Sequence, residues 1–168
     1  IFKTGKPIVA AVHGAAIGGG LGLALVADFR VACPQTRMSA NFTKLGFHPG
    51  FGLTATLPWL IGRQNAALMF YTGRTVDGPT ALSMGLVDQI VPEAEVHAAA
   101  MALAQELASV GPLALRATRA THRRDLIPQI EHALEREMTE QAWLGKTQDF
   151  QEGLAAVRER RDPRFHGN

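Results

Sequence analysis

The sequence predicts an α/β protein. From Pro7 to Val91, short apolar runs rich in β-formers alternate with helical patterns, and after Pro92 the pattern is helical to the end. Between the first strand and the first helix stand three consecutive glycines, Gly18 to Gly20. Glycine loses more backbone entropy on folding than alanine, so three at a helix start imply that something must approach the backbone closely there. The N–H groups at a helix N-terminus are unpaired and carry a partial positive charge. An anion or a polarised oxygen is therefore the expected visitor, and the turn reads as an oxyanion hole, with tight helix-on-strand packing as the alternative.

Each element follows from its residues. Pro7 to Val12 is a buried strand, followed by the glycine-rich turn and a helix opening at Gly18 to Gly20. Phe29 to Cys33 alternates as a second strand closed by Pro34, and Arg37 to Ala40 reads as a short third. Asn41 to Gly52 (NFTKLGFHPGFG) is a loop too apolar to be merely solvated, and such loops line something. Helices are expected over Leu53 to Leu60 and Gly62 to Thr72. Asp77 caps a short helix through Met84, with Gly85 as its stop, and Val87 to Val91 is a further strand. Beyond Pro92 the helical stretches are Glu93 to Ser109, Leu113 to Arg124, Pro128 to Gly145 and Asp149 to Arg161. No internal repeat is visible.

At 168 residues and 46% hydrophobic content, the chain can bury one ordinary core. No apolar run is long enough to span a membrane. The single cysteine, Cys33, excludes an internal disulfide framework and fits a reducing compartment, so the expected location is cytoplasmic. The net charge of +2 gives no footprint for nucleic acid. Its distribution is uneven: residues 1–76 carry +6 and the remainder −4. A basic front half would attract a phosphorylated small molecule, but on charge alone chance plus solvated surface is the preferred reading. The chain starts at Ile1 and enters a strand almost at once, which reads as an N-terminal part being absent.

Several chemistries lack their residues. The glycines cannot be placed as G-x-G-x-x-G, no Lys-Ser/Thr follows them, and there is no G-x-S-x-G elbow. Cysteine pairs and H-E-x-x-H are missing, so no metal site is expected. Near the apolar loop the titratable side chain is His48, a candidate acid or base. Its alternative is a loop histidine bonded to backbone. His13 reads as structural, and Asp28 as a capping or ion-pair group with Arg30 as its partner.

KPIVAAVHGAAIGGGLGLALVADFRVA resembles the core signature of the enoyl-CoA hydratase/isomerase (crotonase) superfamily. The resemblance continues through LGFHPGFGLTATLPWLIGRQNAALMFYTGR and DGPTALSMGLVDQIVP to QDFQEGLAAVRERRDPRF, in the family's order. It implies a ClpP/crotonase-like spiral core of ββα units with a C-terminal helical region. Residues 1–92 would be the C-terminal part of that core, and residues 93–168 a helical trimerisation and lid region.

The same resemblance implies an acyl-CoA thioester substrate, with coenzyme A as part of it and no bound cofactor, in a homotrimer or a dimer of trimers, with neither nucleic acid nor membrane as partner. It makes the Gly19 amide the donor to the thioester oxygen, alongside Ala16, Ile17 and Gly18. Asn41, Phe42, Leu45 and Phe47 would line the acyl group. Arg160, Arg161 and Arg164 fall where basic side chains of some members approach coenzyme phosphates, with a solvated basic tail as the equal alternative. The three carboxylate positions of family members are empty here, holding Gly22, Phe42 and Gly50. Water addition across a double bond needs a positioned acid and base. ANFTKLGFHPGFG also resembles the decarboxylating crotonase-fold enzymes of polyketide β-branching pathways, with His122 near their histidine. Two alternatives therefore stand beside hydratase/isomerase chemistry: decarboxylation of a glutaconyl-type thioester, and a catalytically silent acyl-CoA-binding protein. Coenzyme A and acyl carrier protein both remain open as carrier.

Overall fold

The computed structural model describes residues 1–168. The strands β1 (Val9–Val12) and β2 (Ala15–Ile17) are followed by the short helix α1 (Gly19–Ala24). The pattern repeats with β3 (Phe29–Ala32), β4 (Arg37–Ser39), a 3₁₀ turn at Asn41–Leu45, and the long helix α2 (Leu53–Thr72). In each ββα turn the first strand enters one sheet and the second strand the other. β1 pairs in parallel with β3, Val9 opposite Phe29, and β2 pairs in parallel with β4, Ala15 opposite Arg37. The chain therefore climbs as a spiral with two ladders, a repeat that the sequence does not display.

The ladders are completed by short pieces. β5 (Thr75–Val76) runs antiparallel to β4, and β6 (Gln89–Ile90) runs parallel to β3. Between them lies α3 (Gly78–Ser83), capped as expected by Asp77, whose carboxylate accepts the Thr80 N–H at 3.0 Å. Two readings are corrected. The stretch expected as an uninterrupted glycine turn contains β2, and a two-residue strand, β5, stands where none is expected. The expected helix break inside Leu53–Thr72 is present: Gly62 has φ 76 and ψ 160, outside helical space, within α2. Only glycine adopts that backbone freely.

α4 (Val96–Ala108) lies on the first sheet, where Val96 and Ala100 pack with Val31 and Cys33 in a small core of their own. The larger core joins Leu21, Met38, Leu53, Leu57 and Met69 across both ladders and α2. Cys33 is sealed, with its Sγ 3.2 Å from Thr36 Oγ1. After α5 (Pro112–His122), α6 (Leu126–Leu144) packs along α2, and α7 (Gln148–Glu159) packs on the 3₁₀ turn. No single helix is long and apolar enough to cross a membrane.

Charged groups tie the C-terminal helices to the spiral, with a pairing different from the expected one. Asp28 accepts from the Ile8 N–H at 2.9 Å and pairs with Arg119 and Arg123, each with Nε 2.9 Å from Oδ1. Arg30, only 1% exposed, pairs instead with Asp88 at 3.1 Å and donates to the Leu86 and Ala27 carbonyls. On a parallel strand, Arg30 extends toward the neighbour β6, whereas Asp28 sits at the corner that α5 covers. Burial pushes the Arg30 and Arg123 guanidinium pKa values down, and the facing aspartates oppose that shift.

The final residues fold back over α7. Asp149 accepts the His166 and Gly167 N–H groups, and Glu152 accepts from the Arg161 guanidinium at 2.8 Å and from the Arg164 N–H at 2.8 Å. Those hydrogen bonds, Arg161 first, lower the Glu152 carboxyl from 4.5 to about 2.

Two outcomes are expected. Asp28→Asn leaves the buried Arg123 and the half-buried Arg119 uncompensated and should lower unfolding free energy by about 3 kcal/mol in urea titrations; a loss below about 1 kcal/mol would contradict the pairing. Glu152 contributes above its unfolded pKa of 4.5, and that contribution is lost as pH falls through about 2. The Arg164 amide resonance should therefore shift with a midpoint near 2, not near 4.5.

Candidate active site

The centre of the site is the joint between β2 and α1. Gly18 N–H donates to the Ser39 carbonyl at 2.8 Å, the last rung of the β2–β4 ladder. The first helical rung comes four residues later, where Gly22 N–H donates to the Gly18 carbonyl at 3.1 Å. Gly18 makes the change of direction with φ 55 and ψ −116, a conformation closed to side-chain-bearing residues. The N–H of Gly19 lies between the two regimes, and neither the ladder nor the helix supplies it with an acceptor. Gly19 is half-buried and Gly20 exposed.

The apolar loop closes on this joint from one side. The expected loop begins as the 3₁₀ turn, which places the Asn41 Oδ1 and the Phe42 ring beside Gly18; a Cβ at Gly18 would lie 3.3 and 3.7 Å from them. Ala16 and Phe42 are buried in the larger core, and Ile17 is half-buried. Phe47 stacks on Phe150 of α7 with ring centroids 4.4 Å apart, and Leu45 lies under α7 at Gly153. Gly18, Asn41 and Phe42 thus come together, whereas Leu45 and Phe47 face α7. His48 is half-buried, and its Nδ1 lies 2.8 Å from the Pro49 carbonyl. A carbonyl only accepts, so Nδ1 carries a proton, and in the neutral ring Nε2 keeps the lone pair. The larger cavities of the chain lie elsewhere: one of about 920 Å³ under the C-terminal tail, one of about 600 Å³ between Pro34 and the segment Ile90 to Glu93, and one of about 540 Å³ along α2 beside Gln129.

α6 holds the second half of the loop with residues that sequence reasoning missed. Glu137, 1% exposed, accepts the Gly52 N–H at 2.8 Å, the Thr54 N–H at 2.9 Å and the Thr54 hydroxyl at 2.6 Å. It serves as the N-terminal cap that α2 lacks in its own sequence, and its oxygens are committed to that task. One turn along, Gln141 donates to the His48 carbonyl at 3.0 Å. The spacing of four between Glu137 and Gln141 marks one helix face, but nothing local says what that face holds.

Between these anchors Phe51 has φ 63, a left-handed backbone at a bulky residue, which costs about 1–3 kcal/mol. Its ring lies against the glycines of α1: a Cβ at Gly19 would meet it at 2.7 Å. His122, by contrast, is seated against Trp59 with ring centroids 6.1 Å apart, and that pair borders the far end of α1 at Leu25. Arg161 is engaged by Glu152 and Glu159, while Arg160 and Arg164 make no ion pair through their side chains. No group of three His, Cys, Asp or Glu side chains is placed to hold a metal ion.

The profile of the enoyl-CoA hydratase/isomerase family matches residues 1–168. The chain belongs to that family. It is 36% identical over 162 residues to the probable mitochondrial enoyl-CoA hydratase 2 of Arabidopsis thaliana, covering 96% of this chain and 54% of that protein. It is 34% identical to the crotonyl-CoA hydratase of Syntrophomonas wolfei, covering 95% of this chain and 62% of the relative. An enoyl-CoA hydratase from Mycobacterium avium subsp. paratuberculosis superposes with a TM-score of 0.93 at 31% identity, over 99% of this chain and 68% of that one. A carnitinyl-CoA hydratase from Mycobacterium avium superposes at 0.92 and 32% identity, over 98% of this chain and 64% of that one. The spiral of ββα units is the crotonase fold, with its C-terminal helical region in α4 to α7. The chain spans little more than half the length of the Arabidopsis relative.

Glu137→Gln turns one accepting oxygen into a donor facing donors. It should cost about 1–2 kcal/mol of stability, the range of a lost helix cap, measured by chemical denaturation. An unchanged unfolding midpoint would show that the cap is dispensable.

Proposed function

We propose that the protein is an acyl-CoA thioester enzyme that stabilises an enolate oxygen at the joint between β2 and α1. The observation that carries this reading is the Gly19 amide, left without an acceptor between the last ladder bond of Gly18 and the first helical bond of Gly22. A thioester carbonyl seated there accepts from a fixed donor at the N-terminus of α1. As charge moves onto the oxygen that hydrogen bond strengthens, and one such donor contributes about 3 kcal/mol. The names of the relatives, which include enoyl-CoA, crotonyl-CoA and carnitinyl-CoA hydratases, support a coenzyme A thioester as substrate.

The fate of the enolate depends on proton carriers. Gly22, Phe42 and Gly50 offer none at the three positions where the resemblance places acids, and Glu137 is committed to its backbone donors. His48 Nε2 is then the proton carrier of this chain, as base toward an α-proton or, once charged, as acid toward the enolate carbon. The absence of paired carboxylates favours one second reading, decarboxylation of a glutaconyl-type thioester. There the bond to the departing carboxylate breaks, its electron pair passes into the enolate held at Gly19, carbon dioxide leaves, and a proton returns to carbon. The position of His122 beyond the far end of α1 gives that reading no second histidine within this chain.

A homotrimer or a dimer of trimers fits the exposed apolar side chains of α6 and α7, Met138, Trp143 and Val157 among them. The helical region over residues 93–168 would carry those contacts. The free, buried Cys33 fits a reducing, cytoplasmic setting.

His48→Ala should lower turnover of the preferred thioester by about 10²–10⁴-fold while leaving acyl-CoA affinity within a few-fold. Assays of crotonyl-CoA hydration and of carbon dioxide release from 3-methylglutaconyl-CoA identify which thioester that is. Turnover of neither, with butyryl-CoA still bound, favours the silent acyl-CoA binder; unchanged turnover in the variant retires His48.

A further inference from the structure

The glycine at 22 is explained by a residue far from it in sequence. A Cβ built on Gly22 would lie 2.5 Å from Phe51 Cβ and 3.0 Å from its Cγ, closer than real Cβ contacts come. A Cβ on Gly19 would meet the same ring at 2.7 and 3.0 Å. Phe51 cannot swing away at no cost. Gly52 beside it is held by Glu137, the His48 carbonyl is held by Gln141, and Gly50 is so close to Gln141 that a Cβ there would lie 2.6 Å from Nε2. Phe51 is nevertheless 58% exposed, so the side chain is open to solvent while its ring lies beside Gly19. An apolar side chain that is strained, anchored on both sides and exposed beside an unpaired donor does not serve the core.

We propose that Phe51 is a specificity-determining residue of the thioester site: its ring fills the space that glycine leaves at 19 and 22, walls off the face of α1, and limits the acyl groups that fit beside the Gly19 amide to small apolar ones. This rests on the acyl-CoA reading above. A thioester whose oxygen is held at Gly19 has its acyl carbons within a few bond lengths of the ring, so the ring bounds their volume. The same wall keeps any proton-carrying side chain from projecting out of α1 at position 22.

The test compares the purified protein with Phe51→Gly, which removes the ring and suits the left-handed backbone, and Phe51→Leu, which keeps Cβ and Cγ. Affinities for butyryl-CoA and octanoyl-CoA, both saturated and unreactive, are measured by calorimetry. In Phe51→Gly the ratio of the two should move toward octanoyl-CoA by about tenfold or more, and by less in Phe51→Leu. Thermal unfolding supplies an independent arm: Gly22→Ala should lower the melting temperature of the wild type and raise it in the Phe51→Gly background, where alanine's helix preference is unopposed. An unchanged ratio in folded variants overturns the specificity role alone. Gly22→Ala raising the melting temperature in both backgrounds overturns the steric pairing. Failure of the wild type to bind butyryl-CoA overturns the acyl-CoA reading itself, and the specificity role with it.

Discussion

The structure depends on one backbone event, the change from ladder to helix within a single residue at Gly18. Its N–H closes the β2–β4 ladder on Ser39, and its carbonyl opens α1 by accepting from Gly22. A loop between the two would let the intervening amides turn inward or bind one another. With no loop, the Gly19 N–H is fixed in direction by a sheet on one side and a helix on the other. On the reading proposed above, such preorganisation is what would make a single donor effective, because nothing would have to reorient as charge develops. Ser39 is held in turn, its hydroxyl donating to the Gly73 carbonyl at 3.1 Å, so the end of α2 also steadies the joint.

The C-terminal helices clamp the spiral. α5 reaches the far end of α1 through Arg119 and Arg123 on Asp28, while α6 reaches the loop beyond the 3₁₀ turn through Glu137 and Gln141. Asp28 follows α1 by a few residues, and the loop ends in Phe51 against the start of α1. Both ends of that short helix are therefore set by helices more than eighty residues further along the chain, Gly52 and Glu137 being 85 positions apart. A helix of six residues has little stability of its own, so it takes its position from what surrounds it.

The features legible in the sequence are those decided locally. The Asp77 cap, the break of α2 at Gly62 and the strand over Phe29 to Ala32 each follow from residues within a few positions of one another. The opening of α1 at the glycines obeys the same logic, since unpaired helix-start amides are a property of the helix itself. β5 escapes because two residues carry no period. Asp28 and Arg30 are close in sequence, which suggests a pair, yet the partners of Asp28 come from α5, which no local pattern can indicate. Glu137 looks like any polar residue on a helix, and only folding shows that it caps a different one. Phe51 is legible as apolar but not as strained, because its left-handed backbone is imposed by neighbours that the loop meets only in three dimensions.

Cys33 carries a consequence of a different kind. Its thiol is wholly covered, under α4 on one side and beside Thr36 on the other. A thiol so placed is shielded from oxidants and alkylating reagents for as long as the small core stays shut. Modification therefore requires α4 to part from the first sheet, so with a slow reagent the thiol reports the fraction of time that half of the molecule stands open.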